Sequence, residues 1–286
     1  MENKYAEKAS EKVKKIVARM KEVTAMEAYK LTIIPNSQPD IFDSKFGGVP
    51  YWDMTKDYPV DCEGDKMMLL AQINFTKAAL NDERLPQQGI LQFFIAAEDD
   101  VYGMDWDEAD SQRNFRVVYH EQIDETITEE QVLALDIPVA TSEDNEWTPV
   151  FKEAAVSITK TTTYLGTEDY RFDSVFAEVV KELYGEDIKE QGYYEYLSEE
   201  DRDYIFDEYS NVDHWILGYP YFTQSDPREF RADDYYNTLL FQMDSDMIDH
   251  EDYVLWGDCG VANFFINDEA LRKKDFSRVL YNWDCC

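Results

Sequence analysis

Lysine and arginine are scarce in this sequence of 286 residues: 27 of them stand against 61 aspartates and glutamates, a net charge of −34. Nucleic-acid affinity draws on basic side chains that displace counterions from phosphates, so direct phosphate-backbone binding is excluded. Anionic membrane surfaces are disfavoured by the same repulsion. Long apolar runs are absent, and nothing approaches the roughly 20 residues of a spanning helix. The opening stretch Met1-Glu-Asn-Lys-Tyr-Ala-Glu-Lys8 carries charge where a secretory signal needs an apolar core, so the expected location is cytoplasmic.

Cysteine is rare as well. Cys62, Cys259, Cys285 and Cys286 do not make a staple framework, and the adjacent pair is poorly placed to bridge itself. Only His120, His214 and His250 are available as imidazole ligands, without Cys-x-x-Cys or His-Glu-x-x-His spacing. Neither a metal site nor a cofactor is expected. A phosphate-cradling glycine loop and a nucleophile elbow are missing too. Asp244-Ser-Asp-Met-Ile-Asp249 has the outline of a calcium loop but lacks its central glycine and terminal glutamate.

What the chain does have is apolar and aromatic mass: 44% hydrophobic residues, with 20 Tyr, 16 Phe and 6 Trp, enough for a sizeable core. From Lys4 to about Val23 the apolar residues recur at helical spacing and predict an amphipathic helix. Strands are predicted over Ala28 to Ile34, Met67 to Ile73, Ile90 to Ile95, Phe115 to Tyr119 and Ala155 to Tyr164. Later strands fall over Asn237 to Met243, Val261 to Ile266 and Arg278 to Trp283. Thr128-Glu-Glu-Gln131 is a capping box opening a short helix. Two further helices run from about Ser174 to Tyr184, stopped by Gly185, and from about Glu199 to Tyr209, capped by Ser198. Helical turns are expected at Thr76 to Leu80 and Leu271 to Asp275. Between Glu98 and Asp110 seven of thirteen residues are acidic around Trp106, which predicts a loop.

The sequence also repeats itself, which bears on the whole fold. Gly48-Val-Pro-Tyr51 matches Gly218-Tyr-Pro-Tyr221, and Leu69-Leu-Ala-Gln72 matches Leu239-Leu-Phe-Gln242, both 170 residues on. Gly89 and Phe93-Phe-Ile95 match Gly260 and Phe264-Phe-Ile266 at 171, and Arg116-Val-Val-Tyr119 matches Arg278-Val-Leu-Tyr281 at 162. The expected fold is α+β: a mainly antiparallel β roll of two duplicated, pseudo-symmetric units, about 28–140 and about 150–286, in one domain spanning 1–286. It carries an N-terminal helix and a helical insertion in the second unit. The polar stretch Thr141-Ser-Glu-Asp-Asn-Glu146 is the expected join, and its shortness weighs against two separate domains.

Lys45-Phe-Gly-Gly-Val-Pro-Tyr51, Leu70-Ala-Gln-Ile-Asn74, Leu85 to Phe94, Gly218 to Arg228, Leu239 to Asp246, Trp256-Gly-Asp-Cys-Gly260 and Phe276 to Cys285 together resemble the YwqG-like family of uncharacterised bacterial proteins. The resemblance implies a mixed fold dominated by a β roll and carries no activity with it.

Candidate ligand-binding residues are Gln72 and Gln242, at matched repeat positions, with Asp226 and Arg228 in Gln224-Ser-Asp-Pro-Arg228, and Trp256 and Asp258 in Trp256-Gly-Asp258. Each has a structural alternative: half-buried amides satisfy backbone groups, Asp-Pro starts turns, and Arg pairs with carboxylates. Asp258 with Asp284 as an acid and base pair, and Cys259 with His250 as nucleophile and base, have no spacing that supports them. No reaction motif is present. The reading that follows is a non-catalytic binding protein whose acidic surface meets a basic protein partner, as an immunity-like protein would. The alternative is an enzyme or small-molecule binder with a polar cleft between the two repeats.

Overall fold

The computed structural model describes residues 3–139, 148–231 and 234–286. The predicted join at Thr141–Glu146 lies outside the described residues. Helix α1 (Glu11–Thr24) begins later than its periodicity suggests, because Ser10 caps it by accepting from the Val13 N–H. Strand β1 (Met26–Ile33) follows, then β2 (Lys45–Phe46), β3 (Met68–Asn74), the single turn α2 (Phe75–Ala78), β4 (Ile90–Ile95) and β5 (Phe115–His120). Helix α3 (Glu129–Leu133) carries the Thr128/Gln131 capping box. Strand β6 (Ala154–Thr163) leads into α4 (Phe172–Tyr184), α5 (Gly192–Tyr196) and α6 (Glu199–Glu208). Gly185 ends α4 in the left-handed conformation, and Ser198 caps α6. The chain finishes with β7 (His214–Ile216), β8 (Thr238–Asp244), the hairpin β9 (Asp246–Ile248) and β10 (Glu251–Val254), β11 (Val261–Ile266), α7 (Asp268–Arg272) and β12 (Leu280–Asp284). Among the described residues no helix is long and apolar enough to cross a membrane.

The fold is α+β and mostly antiparallel. Ten strands form one sheet in the order β12-β11-β8-β7-β1-β6-β2-β3-β4-β5. At its centre β1 and β6 pair along their length, from Met26 opposite Thr163 to Ile33 opposite Val156. Outward from that pair the order is the same on both sides, with β2, β3, β4, β5 on one and β7, β8, β11, β12 on the other. Strand β1 borders β7, and β6 borders β2, so each leading strand lies against the short strand that opens the other half.

The sheet curls because β3 and β8 each carry one extra residue. Leu70 falls between the pairs Leu69–Phe94 and Ala71–Phe93, and Leu240 falls between Leu239–Phe265 and Phe241–Phe264. Such bulges sharpen local bend and twist. The curl turns the two terminal strands toward each other and makes a nearly closed, barrel-like core. Phe93 packs on Phe241 and Phe264 at 4.6 and 4.9 Å, while Tyr281 of β12 packs on Phe115 of β5 at 5.1 Å. The remaining gap is bridged by the segment 109–112. Ala109 C=O accepts from the Tyr281 N–H, and the Gln112 amide accepts from Val117 N–H and donates to Phe276 C=O. A side-chain amide thus stands in for a missing strand.

Outside this core, α1 packs its buried Val13, Ile16, Val17 and Met20 on Phe172, Phe176 and Val180 of α4. Helix α3 covers Tyr51, Trp52 and Phe94 with Val132. Two readings need correction. The Arg-Val-x-Tyr match at 162 is out of register: the residue opposite Phe94 is Arg116 and that opposite Phe265 is Leu280, 164 residues further on. The helical turn expected at Leu271 to Asp275 lies at Asp268–Arg272, because Asn267 accepts from the N–H groups of Glu269 and Ala270.

Gly89 and Gly260 precede β4 and β11, and each presses on the last carbonyl of the neighbouring strand. A Cβ there would come within 2.3 Å of His120 O and within 2.0 Å of Asp284 O. Gly89→Ala should cost about 2–4 kcal/mol, from the strain of its positive φ and from overpacking, and Gly260→Ala about 1–3 kcal/mol, from overpacking alone. Urea denaturation measures this, and wild-type midpoints for both would contradict the packing described.

Candidate functional site

Gln72 and Gln242 are both fully buried. Gln72 Oε1 accepts from Tyr51 N–H at 2.9 Å, and its Nε2 donates to Ile41 and Asp43 carbonyls at 2.8 and 2.9 Å. Gln242 repeats the pattern: Oε1 accepts from Tyr221 N–H at 2.8 Å, and Nε2 donates to Asn211 and Asp213 carbonyls at 2.8 and 2.9 Å. Both amides hold the chain that crosses the outer face of the sheet, and they do not face a common cleft.

Beyond the two glutamines the halves differ. Gln92 Nε2 donates to Gln72 Oε1 and to Tyr51 C=O, and its Oε1 meets His120 Nε2 at 3.1 Å. His120 lies between the edge-on rings of Tyr51 and Trp52, and its Nδ1 has no partner. Burial, with help from the Lys56 charge, pushes the imidazole down to about 4. On the other side Asn263 stands beside Gln242 and donates to Tyr221 C=O. Asp284, opposite Val261 as His120 is opposite Ile90, accepts from Thr223 N–H and Oγ1 and from Gln224 N–H at 3.0–3.1 Å. Burial pushes the Asp284 carboxyl up, against the pull of those donors.

Asp284 borders a cleft of about 710 Å³. One wall is the acidic loop, with Asp100, Met104, Asp105 and Trp106. The other is the segment carrying Gln224, Pro227, Phe230 and Arg231, and β12 forms the floor. Trp106 and Phe230 are each 77% exposed, the most exposed of the large apolar side chains among the described residues. The loop holds its shape through its own carboxylates: Asp99 accepts from Val101 and Gly103 N–H, and Asp105 from Asp107 and Glu108 N–H. Trp283 Nε1 donates to Val101 C=O at 2.7 Å and Tyr281 OH to Tyr102 C=O at 2.8 Å, which tie the loop to β12.

The other sequence candidates surround this cleft without lining it. Arg228 is buried with Asp226 and Asp169; its guanidinium lies 3.0 Å from the Asp169 carboxylate and also grips Asp226. Burial would raise the Asp169 carboxyl, but Arg171 and Arg228 hold it below its ordinary range. The quartet fastens the segment 226–228 to the start of α4. Trp256 is fully buried behind the floor, 6.1 Å from the Trp283 ring and 5.6 Å from Tyr102. Asp258 sits exposed on the turn that precedes β11. Phe230 and Trp283 escaped the sequence reading; a phenylalanine set within Arg228-Glu-Phe-Arg231, among charges, is the signal that marks the first. Among the described residues no cluster of three or more His, Cys, Asp and Glu is placed to hold a metal ion.

Residues 44–285 match a domain of unknown function, DUF1963. No curated protein matches the chain.

Two outcomes follow from this geometry. Arg228→Ala leaves two buried carboxylates without their shared cation and should cost about 3–5 kcal/mol; a midpoint close to wild type in chemical denaturation would contradict that. His120, lowered in the fold, binds fewer protons there than in the unfolded chain. Stability should therefore fall as pH drops from about 6.5 to about 4, by about 3 kcal/mol. The stability gap between wild type and His120→Gln should narrow over that window, and a constant gap would show that His120 does not titrate.

Proposed function

Since the chain belongs to this family of unknown function, we propose from the cleft itself that the protein is a non-catalytic binding protein. It takes a basic, apolar-anchored segment of a protein partner between the acidic loop and residues 224–231. The observation that carries this reading is the pair Trp106 and Phe230, exposed on opposite walls of one cleft. Exposed aromatics of this kind mark interaction sites, because leaving them in water is unfavourable and burying them anchors a partner. Asp100 on one wall, and a net charge of −34, supply attraction for lysine and arginine, while Asp105 is already paired with Arg113. A cytoplasmic setting accompanies the reading.

The same cleft has a volume suited to a small molecule, and that is the second reading. Asp284 and Asn282 would then supply the polar contacts.

The matched hydrogen bonds of Gln72 and Gln242, the matched bulges at Leu70 and Leu240, and the mirrored strand order support a duplicated origin. The exchange of β1 and β6 supports one domain rather than two. In the duplication α4, α5 and α6 are an insertion in the second unit. The segments from Lys45 to Cys285 that resemble the YwqG-like group support placing the chain there.

The test is tryptophan fluorescence titration with short peptides combining Lys or Arg with an aromatic residue. Binding should weaken about tenfold in Trp106→Ala and in Phe230→Ala, equivalent to about 1.4 kcal/mol, with the thermal midpoint unchanged. It should also weaken as salt rises. Binding that ignores both substitutions and salt would discard the peptide reading, and retention of a neutral small molecule by wild type alone would favour the second.

A further inference from the structure

Three of the four cysteines, remote from Cys62, meet where β11 begins and β12 ends. Cys259 lies in the turn before β11, and Cys285 and Cys286 follow β12. The antiparallel pair ends with Val261 opposite Asp284, and Cys259, on the turn before β11, and Cys286, two residues after β12, lie just beyond that last pair. Their sulfur atoms are 3.5 Å apart, and both side chains are exposed. Cys285 points elsewhere: its Sγ rests against Gly257, where a Cβ would come within 2.7 Å.

We propose that Cys259 and Cys286 form a reversible thiol–disulfide site for low-molecular-weight disulfides. The observation that carries this is the short sulfur–sulfur separation between two exposed side chains. Closing 3.5 Å to a bond of about 2 Å needs only rotation of two exposed side chains. Cys285 is the adjacent neighbour of Cys286 and, by the same geometry, poorly placed to bridge it. Exposure gives the oxidant access, which a buried pair would lack.

The chemistry balances in two exchanges. One protein thiolate attacks a sulfur of the small disulfide, which forms a mixed disulfide and releases one small thiolate. The second protein thiolate attacks the protein sulfur of that mixed disulfide, which forms the Cys259–Cys286 bond and releases the other small thiolate. Two protein thiols are oxidised and one disulfide is reduced to two thiols. The two thiol protons pass to solvent or to the released thiolates. Reduced small thiols drive the reverse sequence, so the site follows the thiol–disulfide poise around it.

The experiment uses the full chain with excess oxidised glutathione at mildly alkaline pH, then alkylation of the remaining thiols and peptide mass spectrometry. Free thiols should drop from four to two, with one cross-linked peptide pair joining Cys259 to Cys286, restored by dithiothreitol. Cys259→Ser and Cys286→Ser should each abolish the cross-link, while Cys62→Ser and Cys285→Ser keep it. All four positions are at or near the surface, and circular dichroism checks that each variant is folded. Stable glutathione adducts on Cys259 and Cys286 without a cross-link would overturn the proposal. So would a bond that runs through Cys62 or Cys285.

Discussion

The central pairing of β1 with β6 is the constraint on which the rest of the sheet depends. Each of these strands opens one half of the chain, and each borders the short strand that opens the other half. Removing both would leave two fragments whose inner edges, β7 and β2, have only two or three residues to pair. Isolated sheets with such short edges expose unsatisfied backbone and apolar faces. The outer strands are therefore supported from the middle. The bulges at Leu70 and Leu240 convert that support into curvature, and Gln112 joins the curled ends where no ladder does.

Polar groups inside this shell are few, and most are engaged with backbone. Gln72 and Gln242 satisfy the segments that cross the outer face, where an apolar residue would strand two carbonyls and an N–H in a dry environment. The two sides part company at the outermost strands, two beyond the glutamines. His120 is sealed beneath Trp52 and Tyr51, neutral and with one nitrogen unpartnered. Asp284 in the matching place keeps its hydrogen-bond donors and borders open space. Packing has sealed His120 and left Asp284 at the edge of the cleft.

Much of this was legible because the signals were local. Ser198, Gly185 and the Thr128/Gln131 box mark helix ends through hydrogen bonds that span four residues or fewer, and the bounds follow closely. The strands Ile90–Ile95 and Val261–Ile266 read cleanly because both of their faces are buried. The hairpin of β9 and β10 did not, since Glu251 and Asp252 are exposed and interrupt any apolar alternation. Neither did β2 and β7, whose strand character comes from their neighbours rather than from their own two or three residues. The candidate residues Asp226, Arg228 and Trp256 lie near the cleft, but their side chains are buried and turn inward. Trp106 and Phe230 meet across a cleft although 124 positions separate residue 106 from residue 230, and no periodicity records such a meeting.

The long-range pairing of β1 also sets an order in time. Strand β1 emerges from synthesis early, with Ala28, Tyr29, Leu31 and Ile33 destined for burial, yet its partners Ala154–Thr163 and His214–Ile216 come far later in the chain. Pairing across such separations is slow, and an unpaired apolar strand is prone to aggregate while it waits. The lysines of α1 and the acidic residues that crowd the intervening chain keep the growing polypeptide charged through that interval. Charge of this density disfavours self-association of an unpaired β1 during the interval before β6 and β7 are made.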